Sequence, residues 1–177
     1  MIFTETPLKG AYLIDMERKE DHRGFFARSW CRKEFEEHGL NPDLAQINLG
    51  FSVKKGTLRG MHYQVAPHTE AKVVRCTSGA IYDVIIDLRP DSETHKQWFG
   101  VELTSMNRRM VYVPEGYAHG YQTLAGDTEM YYLTSVAYAG NSARGCRYND
   151  PAFGIEWPLP VECLSSADAG WPDYMIG

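Results

Sequence analysis

The chain has 177 residues, of which 44% are hydrophobic and 12% aromatic, and it carries a formal net charge of −5. This length and composition are typical of one globular domain spanning residues 1–177, and the negative charge argues against nucleic-acid binding. There is no Cys-x-x-Cys pair, no signal-peptide pattern and no apolar run near the roughly 20 residues of a membrane span, so we expect a cytoplasmic protein without a membrane partner, structural zinc or disulfides.

The predicted elements are almost all β-strands. The first stretch, GAYLIDMERKEDHRGFFARSW, predicts strand, charged turn and strand. CRKEFEEHGL predicts a short helix near residues 31–39, with Phe35 and Leu40 facing inward and Gly39 at its end. Short segments bounded mostly by turn residues then predict further strands: QINLGFSV, TLRGMHYQ, AKVVRCTSG, AIYDVIIDL, WFGVEL, RRMVYVP, HGYQTL and EMYYLTS.

Two features complete the fold prediction. AKVVRCTSGAIYDVIIDLR has two apolar runs joined through Ser78 and Gly79, which predicts a hairpin. The irregular C-terminal tail, 140–177, is rich in Pro, Gly and Trp and is expected to wrap the barrel and end in a short turn. Short strands with only one helix among them favour an all-β jelly roll, a double-stranded β-helix, over an α/β fold.

Two histidines lie in cupin-like frames, His62 in GTLRGMHYQ and His119 in VPEGYAHGYQ. A metal-binding cupin offers His-x-His and then Glu in the first frame. Here Tyr63 and Gln64 follow His62, and neither is a good ligand for a divalent metal. We therefore expect a cupin-like barrel with no metal, in which a histidine acts as acid or base because its ordinary pKa lies near neutral pH.

Other polar residues allow both structural and functional interpretations. DHRGFFAR is either a hairpin with its phenylalanines in the core, or a site where arginines bind phosphate and a Phe face stacks on a nucleobase. Arg59 and His62 have opposite parity on one strand, so a twist or bulge is needed to bring both to one cavity.

Charged and phenolic groups within apolar strands are further candidates. Lys72 and Asp83 are costly to bury alone, so either they form a cavity-facing pair or they lie at a barrel end. Tyr131 and Tyr132 alternate, so one points inward, where it packs or donates a proton. Asp168, by itself, is typical of a helix N-cap or a turn.

Taken together, the motifs resemble the dTDP-4-dehydrorhamnose 3,5-epimerase family over about residues 10–172. They occur in order as DHRGFF, QIN, GTLRGMHYQ, AKVVRCTSGAIYDVIIDLR, WFGVEL, VPEGYAHGY, RGCRYNDPAFGIEWPL and LSSAD. The resemblance implies a jelly-roll homodimer that needs no metal or cofactor. It also implies inversion of carbon 3, carbon 5 or both in a nucleotide-diphosphate-linked 4-keto-6-deoxyhexose.

The same resemblance implies roles for individual residues. It assigns the catalytic base to His62 and the acidic partner of that base to Asp168. It assigns protonation from the opposite face to Tyr132, and a place near the keto oxygen to Lys72. The implied substrate-binding residues are Arg23, Phe26, Gln46, Asn48, Arg59, Asp83, His119 and Tyr138.

The chain departs from common family patterns at Arg28, at Leu133 where lysine is frequent, and in the run Gln46-Ile47-Asn48-Leu49-Gly50. These positions surround the nucleotide and sugar, so a mono-epimerase acting on a CDP- or GDP-linked 4-keto sugar stays open. A metal-dependent cupin enzyme and a non-catalytic sugar-nucleotide-binding cupin are further alternatives, which metal analysis and solvent-deuterium exchange separate.

Overall fold

The computed structural model describes residues 1–174 and consists mainly of β-strands. The strands are Ile2–Glu5 (β1), Tyr12–Asp15 (β2), Lys19–Asp21 (β3), Gly24–Phe26 (β4), Gln46–Ser52 (β5), Thr57–Gln64 (β6), Lys72–Ser78 (β7), Ala80–Asp87 (β8), Trp98–Thr104 (β9), Met110–Val113 (β10), Tyr117–Thr123 (β11), Thr128–Thr134 (β12), Ala143–Gly145 (β13) and Cys163–Leu164 (β14). The helices are Arg32–Glu37 (α1) and Ser166–Ala169 (α2). Within residues 1–174, no helix is long and apolar enough to cross a membrane.

Two six-stranded sheets form the body of the molecule. The first has the order β1-β2-β10-β7-β12-β5, and the second has β13-β6-β11-β8-β9 with β14 beside β6. The two sheets pack face to face, since one buried core cluster takes side chains from both. It includes Val74, Cys76, Val111 and Met130 of the first sheet and Ile81, Ile85, Leu103 and Tyr121 of the second. This architecture confirms the predicted all-β jelly roll.

Local signals placed most elements correctly. Each of the eight later segments overlaps one observed strand, β5 to β12, and α1 lies inside the predicted 31–39. Phe35 and Leu40 are buried, as predicted for the inner side of this helix. Gly39 follows the helix with φ +68°, and its N–H donates to the Glu36 carbonyl, which ends the helix as expected. The first stretch differs in detail, because β3 and β4 form a hairpin separate from β2.

The predicted hairpin through Ser78 and Gly79 is wrong. Strand β7 pairs with β10 and β12 in the first sheet, whereas β8 pairs with β11 and β9 in the second. Gly79, with φ +74°, therefore carries the chain from one sheet to the facing one. Two apolar runs beside a tight turn fit both arrangements, because hydrophobic periodicity does not say which strand lies alongside.

A β-bulge in β6 sets the phase of this strand. His62 lies opposite His119, and Arg59 lies opposite Tyr121, so the β6 segment is one residue longer than the β11 segment it faces. Gly60 has φ +127°, and a Cβ there would lie 2.6 Å from the Gly120 Cα. Glycine is therefore required at position 60. The bulge is the irregularity that was expected to bring Arg59 and His62 to the same side of the strand, and both residues line one cavity.

The C-terminal tail crosses the second sheet and brings α2 to β6. The Gln122 side chain binds the backbone of Leu159 at both ends of its amide. Farther on, the Tyr174 N–H donates to the buried carboxylate of Asp150. The described part of the tail therefore wraps the barrel, as predicted, while residues 175–177 lie outside the described residues.

Candidate active site

Two adjoining pockets, with cavity volumes of about 260 and 280 Å³, lie between the sheets. Both are lined by His62 from the second sheet and by Lys72 and Tyr132 from the first. The Arg59 pocket is completed by Leu49, Gly50, Arg59, His119, Tyr121 and Met130. The Tyr138 pocket is completed by Gln46, Asn48, Tyr63, Gln64, Glu70, Thr134, Tyr138, Ala143, Arg144 and Trp171.

A carboxylate–histidine pair occupies one wall. Asp168 Oδ1 lies 2.6 Å from His62 Nε2, although the two residues are 106 positions apart in the chain. Asp168 sits in the first turn of α2, whose N-cap is Ser165, and the Ser165 hydroxyl accepts the Asp168 N–H at 3.0 Å. The Asp168 side chain is 8% exposed, whereas that of His62 is 45% exposed. The carboxylate is therefore enclosed, and the imidazole opens onto the cavity.

The surroundings of Asp168 keep it ionised. Burial alone would raise the pKa of Asp168, but the hydrogen bond and charge of His62, with further bonds from Ser165 and the Gly60 N–H, lower that pKa overall. An ionised carboxylate only accepts hydrogen bonds, so His62 Nε2 carries the hydrogen. In the neutral ring the lone pair is then on Nδ1, which is the form a general base needs.

Tyr132 and Lys72 form the facing wall. Tyr132 lies opposite Val74 and Lys72 lies opposite Thr134 in the β7–β12 ladder, so the phenol and the lysine are diagonal neighbours. Burial raises the pKa of Tyr132, and the negative charge of Glu70 raises it further. Tyr131 does not line either pocket, so Tyr132 is the inward member of the predicted pair.

The structure gives Lys72 and Asp83 different partners. Lys72 Nζ lies 2.9 Å from Glu70 Oε1, and both side chains are nearly buried. Asp83 is fully buried and lies 2.7 Å from His119 Nε2, and burial raises the pKa of Asp83. Of the two alternatives, a direct Lys72–Asp83 ion pair is not formed, because each charge has a closer partner, although the Lys72 charge partly offsets the rise in the pKa of Asp83. Glu70 was missed, although it stands two residues before Lys72 in the sequence.

Three of the expected nucleotide-binding residues meet at the Tyr138 pocket. Gln46, Asn48 and Tyr138 line it together, and the Gln46 side-chain oxygen accepts the Tyr138 N–H at 2.7 Å. The Tyr138 residue is 73% exposed, so its ring face is open to a ligand. Arg59 lies in the other pocket, where its guanidinium donates to the Ser52 hydroxyl and the Phe51 carbonyl.

Arg23 and Phe26 lie on the β3–β4 hairpin and line neither pocket of this chain. Arg23 is paired with Asp21, and Phe26 is 72% exposed. Phe25 is also exposed, and the Arg108 guanidinium lies over its ring, with Cζ 5.0 Å from the centre of the Phe25 ring. The interpretation that places these phenylalanines in the core is therefore wrong.

Comparison with known proteins identifies the family. A family model described as dTDP-4-dehydrorhamnose 3,5-epimerase matches residues 5–175. The chain belongs to the dTDP-4-dehydrorhamnose 3,5-epimerase family. The protein is therefore an isomerase of the epimerase type.

Three relatives illustrate the range of the epimerase family. The dTDP-4-dehydrorhamnose 3,5-epimerase of Sinorhizobium fredii is 36% identical over 173 residues, which cover 97% of this chain and 89% of the relative. The crystal structure of the Bacillus anthracis 3,5-epimerase with TDP and PPi bound superposes with a TM-score of 0.93 at 38% identity, covering 98% of this chain and 99% of that one. The dTDP-4-dehydrorhamnose 3-epimerase of Streptomyces niveus is 36% identical over 162 residues, covering 91% of this chain and 78% of the relative.

Trp171 is a pocket residue that sequence reasoning missed in this epimerase-family chain. Its ring packs on Gly145, where a Cβ would lie 2.4 Å from the indole, and it meets the His62 ring edge-on at 6.4 Å. The tail thus brings both Asp168 and Trp171 to the histidine. No local pattern signals this, because the contact joins segments that are remote in sequence.

Gln64, two residues after His62, has a structural role. The Gln64 side chain is buried, donates to the His68 carbonyl and accepts the Ala139 N–H, so its amide is fully engaged. Across residues 1–174, no group of three or more His, Cys, Asp or Glu side chains is placed to hold a metal ion.

Proposed function

We propose that the protein inverts carbon 3, carbon 5 or both in a nucleotide-diphosphate-linked 4-keto-6-deoxyhexose, with dTDP as the nucleotide named for its relatives. One observation carries the proposal: His62 and Tyr132 project from opposite sheets into one cavity. A base on one face of a sugar ring and an acid on the other are what inversion requires. The Streptomyces niveus relative, named a 3-epimerase, keeps inversion of a single carbon among the outcomes.

The proposed reaction uses only groups of this chain. The 4-keto group acidifies the hydrogens on carbons 3 and 5. His62 Nδ1 takes one of these protons, and the C–H electron pair moves into an enolate whose oxygen is stabilised by the Lys72 ammonium. The Tyr132 hydroxyl then gives its proton to the opposite face of the same carbon, and the ketone re-forms. Exchange with solvent returns the imidazolium and the phenolate to their starting states.

Orientation of the base is proposed as the role of Asp168, by analogy with carboxylates that hold a catalytic histidine in one tautomer. The buried His119–Asp83 pair is proposed to present the His119 ring to the sugar. Gln46, Asn48 and Tyr138 are proposed to bind the nucleoside, and Arg59 the diphosphate, because an arginine fork suits phosphate oxygens.

A homodimer is proposed, in which the partner's Arg23 and the partner's Phe26 complete the nucleotide site. Edge strand β5 supports it, because Ile47, Leu49 and Phe51 on this strand are 49–59% exposed. Monomeric proteins rarely leave such an apolar edge uncovered. Light scattering at micromolar concentration checks the dimer, and a monomer contradicts it.

Two coarser proposals concern the whole chain. We propose that residues 1–177 form one domain, which is supported by the core cluster that both sheets share. We also propose a cytoplasmic location, supported by four free cysteines among the described residues, as a reducing compartment favours.

A Tyr132→Phe variant tests the division of roles. Proton NMR in deuterium oxide follows carbons 3 and 5 of a dTDP-linked 4-keto-6-deoxyhexose separately. We expect the wild type to exchange and invert at least one carbon. The variant should still take up deuterium through His62 but form less inverted product. Equal loss of exchange and inversion contradicts the donor role, and a wild type without exchange contradicts the proposed function in favour of a binding protein.

A further inference from the structure

The charge partners of the arginines divide them into distinct groups. Within residues 1–174, those that form an ion pair with a carboxylate are Arg23, Arg28, Arg32, Arg89, Arg109 and Arg147. Arg18 and Arg108 instead cover the Phe25 ring. Arg75, on β7, forms no ion pair within the described residues and lines neither pocket. Arg59 and Arg144 line the cavity. The cavity thus contains two guanidinium groups that no carboxylate of the described chain neutralises.

Arg144 is held with part of its guanidinium free. It lies on β13 opposite Tyr63, and its Nη1 donates to the carbonyls of Asn141 and Ala143 at 2.9 and 2.8 Å. Both acceptors are neutral carbonyl groups, and both accept from Nη1. In the part of the chain that the structure describes, Nε and Nη2 make no hydrogen bond. Those two nitrogens form one edge of the guanidinium, which suits two oxygens of a phosphate.

The Tyr138 pocket needs such a cation if it takes an anion. Its other cationic residue, Lys72, is paired with Glu70 at 2.9 Å and is proposed above to stabilise the enolate of the sugar, so it is not assigned to the diphosphate. The chain as a whole carries a net charge of −5, which opposes a diphosphate. Arg144 is therefore the uncompensated cation on the described wall of this pocket.

We propose that Arg144, in addition to Arg59 of the adjoining pocket, binds the diphosphate of the substrate from the Tyr138 pocket, an inference that rests on the proposed function. The reacting sugar belongs beside His62, Lys72 and Tyr132, and the nucleobase belongs against the exposed ring of Tyr138. The diphosphate joins these two ends of the substrate. Arg144 lines the pocket that contains both, and its free edge is available to the anion.

The test compares binding of dTDP and of thymidine by isothermal titration calorimetry. Arg144→Gln should weaken dTDP binding by about 10-fold, since it removes charge-assisted hydrogen bonds, and should leave thymidine binding unchanged. Arg144→Lys keeps the charge without the fork and should fall between. Arg32→Gln, which removes one charge from the surface of α1, is the matched control and should bind as the wild type does. Circular dichroism melting checks that each variant is folded.

The outcomes separate this inference from the proposed function. Wild-type dTDP affinity in Arg144→Gln, or an equal loss for thymidine, overturns the diphosphate role; if Arg144→Gln does not fold, the dTDP affinity of Arg144→Lys decides in the same way. If the wild type does not bind dTDP, the nucleotide of the proposed function is contradicted. Inorganic pyrophosphate, CDP and GDP then replace dTDP as probes. Should the wild type bind none of these, both ideas fail. With active enzyme, we expect KM to rise about 10-fold in Arg144→Gln while kcat changes little.

Discussion

Replacing Asp168 by Asn replaces one carboxylate oxygen of the proposed base assembly by an amide NH₂ group. The carboxylate now accepts from His62 Nε2 at 2.6 Å, and its other oxygen faces the Gly60 N–H at 3.5 Å. An asparagine amide has only one oxygen, so it cannot accept from both the His62 Nε2–H and the Gly60 N–H. If its oxygen turns to the Gly60 N–H, its NH₂ group faces His62 Nε2 and draws the ring into the Nδ1–H tautomer, which has no lone pair for the substrate.

The expected loss follows from this geometry. Removing a general base costs about 10²–10⁴-fold, and we place His62→Ala at the upper end of that range. Asp168→Asn keeps the imidazole and the shape of the site, so we expect a milder loss of about 10²-fold. The loss should appear in kcat more than in KM, because Asp168 acts through His62 rather than on the substrate.

The assay is the initial rate of deuterium uptake at carbons 3 and 5, followed by NMR. Asp173→Asn is the matched control, since this carboxylate lies in the same tail but pairs with Arg147 and not with His62. We expect that control to stay close to the wild-type rate. An Asp168→Asn enzyme as active as the wild type would remove the carboxylate–histidine pair from the mechanism.

The same variant has a stability signature. Asp168 has a lowered pKa in the folded protein, so its charge contributes stability above the unfolded pKa of about 3.9, and this contribution is lost as pH falls through the folded-state value. The free energy of unfolding of Asp168→Asn should therefore fall less than that of the wild type as the pH is lowered. Urea unfolding between about pH 2 and 6 measures it, and parallel curves for both proteins contradict the argument.

Further expectations concern the metal, the acid and the bulge. Activity should survive exhaustive dialysis against a chelator, and restoration of lost activity by zinc, iron or manganese would favour the metal-dependent cupin alternative. Glu70→Gln should move the alkaline limb of the pH–rate profile to lower pH, because the Glu70 charge helps to raise the pKa of Tyr132. Tyr132 must be protonated to act as an acid. An alkaline limb at the wild-type pH refutes this. Gly60→Ala should destabilise the fold by about 3 kcal/mol or more, since its Cβ would meet Gly120, whereas Gly24→Ala at a similar φ meets nothing within 4 Å; equal denaturant midpoints for the two would contradict the steric argument.

Much of the secondary structure was predictable because its causes are local. Short segments bounded mostly by turn residues located the strands from β5 to β12, and Phe35, Leu40 and Gly39 marked α1 and its end. The motifs around His62 and His119 carried the resemblance to the epimerase family without any structure. Composition and the order of short motifs thus determined the fold class and the family.

Only the tertiary structure decided how these pieces meet. The β7–β8 turn joins two sheets instead of one, because apolar strands on either side of a turn satisfy both arrangements. Lys72 pairs with Glu70 and Asp83 with His119, since a buried charge takes whichever partner the packing brings nearest. The bulge at Gly60, the delivery of α2 and Trp171 by the tail, and the free edge of Arg144 are likewise contacts between distant segments, for which a single sequence has no local signal.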